Sequence, residues 1–183
     1  MTAGGRGGHG VTKPPVAILI GPPGAGKSTV GEALAVRLGV GFTETDADIE
    51  AVAGKPVSDI FIEDGEPFFR DLERAAVTTA IGTADGVVGL GGGSIMSTDV
   101  QRQLTGLPVV YLRASFPELA KRVGMDTPRP LLLGNPRAKL KGLLEERLPV
   151  YERLAWLTVD TDGRDPADIA EEIAGALTLA QPP

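Results

Sequence analysis

The chain has 183 residues, of which 42% are hydrophobic, enough for one well-buried core and short for two. It has no cysteine and a single histidine, which excludes disulfides, thiol nucleophiles and cysteine-ligated zinc and leaves little room for histidine-based catalysis. The formal net charge of −6 argues against a nucleic-acid binder, and no apolar run is long enough to span a membrane. Any chemistry must therefore use Asp, Glu, Lys, Arg and backbone groups.

The first fifteen residues differ in composition from the rest of the chain. Residues 1–15 are rich in glycine and proline and lack the apolar stretch of a secretory signal, so we expect a disordered tail there. Residues 16–183 are expected to form one domain. We expect a cytoplasmic monomer that acts on small molecules and has neither nucleic acid nor membrane as a partner.

Strand and helix patterns alternate after the tail. VAILI at 16–20 is a continuous apolar run typical of a parallel strand buried on both faces. The next segment, KSTVGEALAVRL, has apolar residues at helical spacing, with Gly39 as its stop signal. Further strands are predicted at 40–43, 87–90, 108–112 and 157–160, and further helices at 58–82 (with a break near 64–65), 97–105, 116–123, 137–150 and 166–180. The alternation predicts a three-layer α/β domain with a parallel sheet.

The segment GPPGAGKS at 21–28 matches G-x-x-x-x-G-K-[ST] between a predicted strand and a predicted helix, the context this motif requires. Its N–H groups can surround a polyphosphate, its lysine can reach the β- and γ-phosphates, and its serine hydroxyl can bind Mg²⁺. The predicted nucleotide-binding residues are Gly24, Ala25, Gly26, Lys27, Ser28 and Thr29. The chain is therefore expected to bind a nucleoside triphosphate with Mg²⁺.

The sequence also restricts what the protein does with the nucleotide. A GTPase would carry a guanine-reading N-K-x-D motif, which is absent, and an ATPase or motor would place an aspartate after an apolar strand. The only such aspartate is Asp160, very late in the chain, whereas the apolar run VVGL at 87–90 ends in three glycines. A small-molecule kinase remains, with its acceptor site at the other strand ends.

Two segments supply candidate acceptor residues. TETDADIE places Glu44, Asp46 and Asp48 just beyond a predicted strand, although an acidic helix start explains them equally well. SDIFIEDGEPFFRDLE places Arg70 and Glu73 on one helix face, preceded by Phe61 and Phe69. A surface ion pair for the first two and ordinary core packing for the phenylalanines remain alternatives.

These pieces, in this order, resemble the shikimate kinase family from Val16 to the end of the chain. The resemblance rests on GPPGAGKST, D-x-x-I-E at 46–50, IF…GE..FR..E at 60–73, LGGG at 90–93, T-x-R-P-L at 127–131, R-x-P-x-Y at 147–151 and D-P at 165–166. It implies ATP-dependent phosphorylation of the 3-hydroxyl of shikimate, a step toward chorismate and the aromatic amino acids. It also implies a nucleoside monophosphate kinase-like fold, with five parallel strands flanked by helices. The Gly- and Pro-rich segment 124–137 is then a candidate mobile lid.

The resemblance assigns roles on the acceptor side. Asp46 would bind the reacting hydroxyls and accept a proton late, while Arg70 and Arg147 would hold the carboxylate of shikimate. The remaining residues predicted to bind the acceptor are Phe61, Phe69, Gly91, Gly92 and Gly93. Glycines at the strand end would let the substrate approach bare backbone and contact its N–H groups.

The resemblance also assigns roles on the nucleotide side. Arg129 would be a lid arginine over the phosphates, acting with Lys27 and Mg²⁺ to offset charge on the transferred group. Residues implied to border the adenine are Arg122, Arg164 and Pro166. One departure concerns the metal: the family has an Asp-x-Asp pair, and Glu44 stands in its first place, where it would help hold Mg²⁺ through water together with Ser28.

Three alternatives remain open at this point. An adenylate-type kinase shares the loop GPPGAGK, but its T-G-D-h-h-R and D-G-F-P-R segments are absent. A gluconate-type kinase shares the phosphate loop but should lack the R-x-x-E helix and the triple glycine. A nucleotide-binding module without catalysis is the third, and the presence of all the candidate catalytic residues gives it little support.

Overall fold

A computed structural model describes residues 14–124 and 135–180 of the chain. The strands of this part are β1 Ala17–Ile20, β2 Phe42–Glu44, β3 Val87–Gly89, β4 Val109–Arg113 and β5 Leu157–Asp160. Its α-helices are α1 Lys27–Leu38, α2 Thr45–Ala53, α3 Val57–Glu63, α4 Glu66–Thr83, α5 Thr98–Leu104, α6 Phe116–Arg122, α7 Pro136–Leu154 and α8 Pro166–Ala180. A short 3₁₀ helix, Ser94–Met96, follows β3. Almost all of the predicted tail and lid, including Arg129, lies outside the described residues.

The strands form one parallel sheet in the order β2-β3-β1-β4-β5. Gly89 of β3 is the register partner of both Leu19 of β1 and Glu44 of β2, so the carboxyl ends of these three strands lie side by side. The segments that leave those ends are the phosphate loop, the start of α2 and the glycines at 91–93. Three predicted functional segments therefore meet at one edge of the sheet.

Both faces of the sheet are covered by helices, which is why its central strand is apolar throughout. On one face Leu19 and Val110 pack in a cluster with residues of α1, α6 and α8. On the other face Ile18 and Tyr111 pack in a cluster with residues of α4, α5 and α7. This arrangement confirms the predicted three-layer α/β class and its five-stranded parallel sheet.

The helix boundaries agree with the sequence patterns, with two informative differences. Gly39 ends α1 in the left-handed region at φ 68°, as its stop signal indicated. Helix α2 begins directly after β2, so Asp46 and Asp48 lie in its first turn and the acidic helix start is correct. Helix α7 extends beyond the predicted 137–150 because Tyr151 and the preceding valine are buried against the sheet, which outweighs the proline inside the helix.

Across residues 14–124 and 135–180, none of the helices combines the length and the apolar character that spanning a membrane requires.

Candidate active site

The loop between β1 and α1 has a backbone that only glycine adopts easily. Gly24 and Gly26 have φ values of 83° and 95°, in the left-handed region. Gly26 is also the N-cap of α1, so the unpaired N–H groups of the first helical turn face the loop. Ala25 is buried and its N–H donates to the carbonyl of Pro22 at 3.1 Å. The loop thus forms an anion-binding turn at a helix N-terminus, as the motif predicts.

Lys27 folds back over this loop. Its ammonium donates to the carbonyl oxygens of Gly21 at 2.8 Å and Pro22 at 3.2 Å. Burial lowers the pKa of Lys27 to about 8, although the carboxylates of Asp46 and Glu44 partly offset that effect. The cation therefore lies between the phosphate loop and the acidic start of α2, with two carboxylates close by.

Ser28 and Glu44 join the phosphate loop to the end of β2. The Ser28 hydroxyl donates to Oε1 of Glu44 at 2.5 Å, and both residues are partly or fully accessible at this edge of the sheet. Thr29 follows in the first turn of α1 and is exposed. A hydroxyl and a carboxylate in contact are hard oxygen donors of the kind that Mg²⁺ prefers.

Asp46 presents an unpaired oxygen to the same region. Its Oδ1 is buried and has no hydrogen-bond partner among the residues described. Burial raises the pKa of this carboxyl, and the charge of Lys27 acts in the opposite direction. Because a buried polar atom without a partner is costly, Asp46 is poised to accept a hydrogen bond from a ligand.

Arg70 and Glu73 form an ion pair on α4 that extends into the interior. Nη1 of Arg70 donates to Oε2 of Glu73 at 2.7 Å, and the Glu73 side chain is only 4% exposed. A second carboxylate, Glu66, accepts from Arg70 at 3.1 Å and 3.2 Å. The surface ion pair considered from the sequence is therefore wrong for Glu73, which holds Arg70 from its buried side.

The glycines at 91–93, which we call the glycine loop, pack closely against other residues of the site. None of them has positive φ, so backbone conformation does not explain them. A Cβ at Gly91 would lie 2.5 Å from Oδ1 of Asp46, and one at Gly93 would lie 2.6 Å from Nη1 of Arg70. The space that side chains would need is thus filled by the residues of the site itself.

Several backbone groups of the glycine loop already have protein partners. The N–H of Gly91 donates to the Thr45 hydroxyl at 3.1 Å, and the carbonyl of Gly91 accepts from the Ser94 hydroxyl at 2.8 Å. The carbonyl of Gly92 accepts from the Tyr151 hydroxyl at 2.6 Å. The expectation that the glycines offer their N–H groups to a substrate is therefore wrong for Gly91, because its N–H fixes the loop to α2.

Arg147 of α7 completes the group. Its Nε is buried and, like Oδ1 of Asp46, has no hydrogen-bond partner in the described part of the chain. A cleft of about 660 Å³ lies between α4 and α7, and we call it the α4–α7 cleft. Its lining includes Arg70, Glu73, Gly93, Met96, Leu143 and Arg147.

Comparison with known proteins identifies this arrangement. A family model described as shikimate kinase matches residues 23–178. The chain belongs to the shikimate kinase family. It is 59% identical over 166 residues to a shikimate kinase of Thermobifida fusca, covering 91% of this chain and 96% of that protein. A shikimate kinase of Acinetobacter baumannii, solved in complex with shikimate, superposes with a TM-score of 0.84 at 34% identity and covers 93% of this chain and 96% of that one.

A second solved structure, a shikimate kinase of Aquifex aeolicus, gives a TM-score of 0.76 at 28% identity and covers 88% of this chain and 95% of its own. Membership of the shikimate kinase family confirms the enzyme class expected from the sequence, an ATP-dependent kinase acting on shikimate. It also separates the chain from the adenylate-type and gluconate-type kinases and from a module without catalysis.

The shikimate kinase fold brings two predicted adenine residues beside the phosphate loop and the end of β5. Arg122 of α6 donates to the carbonyl of Gly24 at 3.2 Å and to the carbonyl of Thr161 at 3.0 Å. Arg164 donates to the carbonyl of Asp160 at 3.0 Å, and Pro166 begins α8 directly after it. Both arginines are thus fixed by backbone carbonyls of neighbouring segments.

The two phenylalanines expected to bind the acceptor pack against each other beside Arg70. Phe69 is buried in a small cluster with Ile49 and Ile60, which is the core packing that the sequence left open. Phe61 is 37% exposed and its ring centroid lies 4.4 Å from that of Phe69. The Arg70 guanidinium lies over the Phe69 ring at 5.4 Å, so the ring supports the arginine from behind.

Asp160, the one aspartate that follows an apolar strand, is engaged elsewhere. Arg113 donates to its two carboxylate oxygens at 2.5 Å and 2.8 Å, and this pair lies on the exposed edge of β5. The hydrogen bond from Arg113 lowers the pKa of Asp160. This geometry agrees with the expectation that Asp160 is not the strand-end aspartate by which an ATPase holds its metal ion.

Sequence reasoning missed the buried hydroxyls that hold the glycine loop. Thr45, Ser94 and Tyr151 are at most 2% exposed, and each donates to or accepts from Gly91 or Gly92. Tyr151 ends the R-x-P-x-Y motif, and Thr45 lies between Glu44 and Asp46. The available signal in the sequence was therefore that each lies close to a residue already predicted to belong to the site.

Proposed function

We propose that shikimate binds in the α4–α7 cleft with its carboxylate on Arg70 and Arg147 and its 3-hydroxyl at Asp46. The observation that carries this proposal is the pair of buried atoms without partners, Oδ1 of Asp46 and Nε of Arg147. One is an acceptor and the other a donor, which complements a molecule with a hydroxyl at one end and a carboxylate at the other. A guanidinium can grip a planar carboxylate through two N–H groups.

The phosphate loop would hold ATP with its γ-phosphate toward Asp46. Lys27, whose ammonium lies between the loop and the carboxylates, would offset the charge of the β- and γ-phosphates. Arg129 is proposed to add a second cation from the lid, and it lies outside the described residues. Phosphoryl transfer through a loose transition state depends mainly on such positioning and charge neutralisation.

Ser28 and Glu44 would hold Mg²⁺, Ser28 directly and Glu44 through water. Their oxygen atoms, 2.5 Å apart, form the donor set that suits this ion, and Mg²⁺ commonly keeps several of its waters. Bound there, Mg²⁺ would neutralise part of the phosphate charge. Glu44 keeps the charge that an aspartate would have and moves it outward by one methylene.

Asp46 would orient the attacking hydroxyl and receive its proton. As the bond from the 3-oxygen to the γ-phosphorus forms and the bond from that phosphorus to the β,γ-bridging oxygen breaks, the hydroxyl proton passes to the Asp46 carboxylate and ADP leaves. The pKa of Asp46, raised by burial, makes its carboxylate a better proton acceptor than an exposed one.

Arg122, Arg164 and Pro166 would border the adenine ring. The support for this assignment is local: Arg122 is bonded to the phosphate loop at Gly24, and the other two flank the end of β5 at the start of α8. Arginine planes and a proline ring can pack on both faces of a flat base.

The assay that tests the acceptor assignment compares shikimate with its methyl ester in wild type and in Arg147→Ala. In wild type the ester should have a much higher KM, because the carboxylate charge is lost. In Arg147→Ala the KM for shikimate should rise roughly tenfold or more, the KM for ATP should change little, and the penalty for the ester should shrink. Equal effects on both substrates, with an unchanged ester penalty, would refute the role of Arg147.

A cytoplasmic monomer is the state we propose for this enzyme. The four most exposed of the large apolar side chains in the described part lie on four different helices, namely Val36, Val52, Ile62 and Leu179. Scattered apolar residues do not form the continuous patch that a stable dimer buries. Light scattering on the purified chain should give the mass of one copy, and a dimer mass would contradict the proposal.

A further inference from the structure

Tyr151 is a buried residue that none of the roles above uses. It lies on α7, one helical turn after Arg147 and therefore on the same face of the helix. Its side chain is among the largest fully buried ones, at 1% exposure, and its hydroxyl donates to the carbonyl of Gly92 at 2.6 Å. This bond connects α7 directly to the glycine loop.

The same hydroxyl lies beside the guanidinium of Arg147. A Cβ added at Gly92 would lie 3.6 Å from Nη1 of Arg147, so the arginine, the tyrosine hydroxyl and the Gly92 carbonyl share one small volume. Burial raises the pKa of Tyr151 to about 12, although the charge of Arg147 opposes this rise. The phenol is therefore neutral at physiological pH and keeps its proton for the Gly92 carbonyl.

The ring of Tyr151 is fixed independently of its hydroxyl. It stacks on the ring of Tyr111 from β4, with centroids 5.0 Å apart and an angle of 10° between the planes. The Tyr111 hydroxyl has no hydrogen bond among the described residues that would tie it to the site. The two tyrosines are therefore a matched pair for substitution, because their rings stack and only the Tyr151 hydroxyl contacts the glycine loop.

We infer that Tyr151 is a positioning residue that fixes α7 against the glycine loop and thereby sets Arg147 over Gly92 for the acceptor carboxylate. This inference rests on the proposed role of Arg147. Because Nε of Arg147 has no partner among the described residues, that nitrogen does not fix the guanidinium by itself. The Tyr151 hydroxyl contacts the Arg147 side chain and donates to the Gly92 carbonyl at 2.6 Å, so it links the guanidinium to the glycine loop.

The test compares Y151F with Y111F. Y151F removes the hydroxyl and keeps the stacked ring, and it takes away the donor of the partly buried carbonyl of Gly92. We expect the dissociation constant for shikimate, measured by titration calorimetry without nucleotide, to rise about tenfold, and the constant for ADP to change less than twofold. Y111F should leave both constants unchanged. An unchanged constant for shikimate in Y151F, or equal losses for shikimate and ADP, would overturn the inference.

A double-mutant cycle with Arg147→Ala separates positioning from a general loss of stability. If Tyr151 acts through Arg147, Y151F should weaken shikimate binding much less in the Arg147→Ala background than in wild type. Additive losses would mean that the hydroxyl acts elsewhere, and the inference would fail while the role of Arg147 stands. If Arg147→Ala itself leaves shikimate binding unchanged, the proposed role of Arg147 in binding the carboxylate is refuted, and the inference about Tyr151 is refuted with it. Calorimetry at low temperature keeps the comparison valid for a variant with a reduced Tm.

Discussion

The nucleotide side and the acceptor side of this enzyme are built in different ways. The phosphate-binding part of the nucleotide side is a contiguous turn, residues 21–28, whose conformation follows from glycines with positive φ at a helix N-terminus. The residues proposed for the acceptor side come from α2, α3, α4, the glycine loop and α7, and they extend from residue 46 to residue 147 of the chain. We propose that a phosphate group is bound by local backbone geometry, whereas shikimate is bound by side chains that only the complete fold brings together.

The two sides also differ in how charge is balanced. On the acceptor side, Glu73 is buried under Arg70, while Asp46 and Arg147 each keep one buried atom without a partner. Removing one member of a buried, paired charge set is strongly destabilising, so the Arg70–Glu73 pair also supports the fold. Lys27 connects the two sides electrostatically, because the carboxylate of Asp46 on the acceptor side raises the pKa of Lys27 on the nucleotide side.

The largest effect should come from Lys27→Met on the nucleotide side. Losing the cation that we propose faces the transferred phosphate should lower kcat by about 10³-fold, in line with the loss of one preorganised charge in a transition state. The measurement is steady-state kinetics at saturating ATP and shikimate. Lys139→Met, an exposed lysine in the first turns of α7, is the control and should keep wild-type rates. A fall of less than tenfold for Lys27→Met would show that this cation is not central.

Substitutions in the glycine loop should have the next largest effect. Gly91→Ala places a Cβ 2.5 Å from Asp46 Oδ1 and should displace that carboxylate, lowering kcat by about 10²-fold. Gly92→Ala, whose nearest contacts would be 3.2 Å and 3.3 Å, should cost only a few-fold.

Gly142→Ala in the interior of α7 is the control for these substitutions, since a Cβ there meets no atom within 4 Å. It should leave kinetics unchanged and raise the unfolding free energy by roughly 0.5–1 kcal/mol. If Gly91→Ala were milder than Gly92→Ala, the packing of Asp46 against the loop would not explain the glycines.

The smallest effect is a dependence of nucleotide binding on pH. The pKa of Lys27 is lowered to about 8 in the ligand-free protein, and bound phosphates favour the charged form. ADP affinity should therefore be constant below pH 8 and weaken above it, by up to about tenfold per pH unit. Because Asp46 raises the pKa of Lys27, Asp46→Asn should move the midpoint to lower pH. Calorimetric titration of ADP between pH 7 and 9.5 measures this pH dependence in wild type and in Asp46→Asn. If the midpoint is the same in both proteins, Asp46 does not act on the pKa of Lys27.

The same contrast explains what the sequence could and could not predict. The phosphate loop, the parallel sheet and the residues Asp46, Arg70 and Arg147 follow from local motifs or from their order along the chain. The burial of Glu73 and the packing of Asp46 on Gly91 depend on how α2 and α4 meet β3. Tyr151 stood in the R-x-P-x-Y motif without a role, because its bond to Gly92 spans 59 residues and no local pattern indicates it.

A crystal structure of this chain with shikimate and without nucleotide would test the central claim most directly. The account predicts that the shikimate carboxylate lies on Arg70 and Arg147 in the α4–α7 cleft, within hydrogen-bond distance of about 3.2 Å, and that its 3-hydroxyl donates to Asp46 Oδ1. The contradicting result is shikimate bound with its carboxylate away from both arginines, or with Asp46 Oδ1 and Arg147 Nε still without partners.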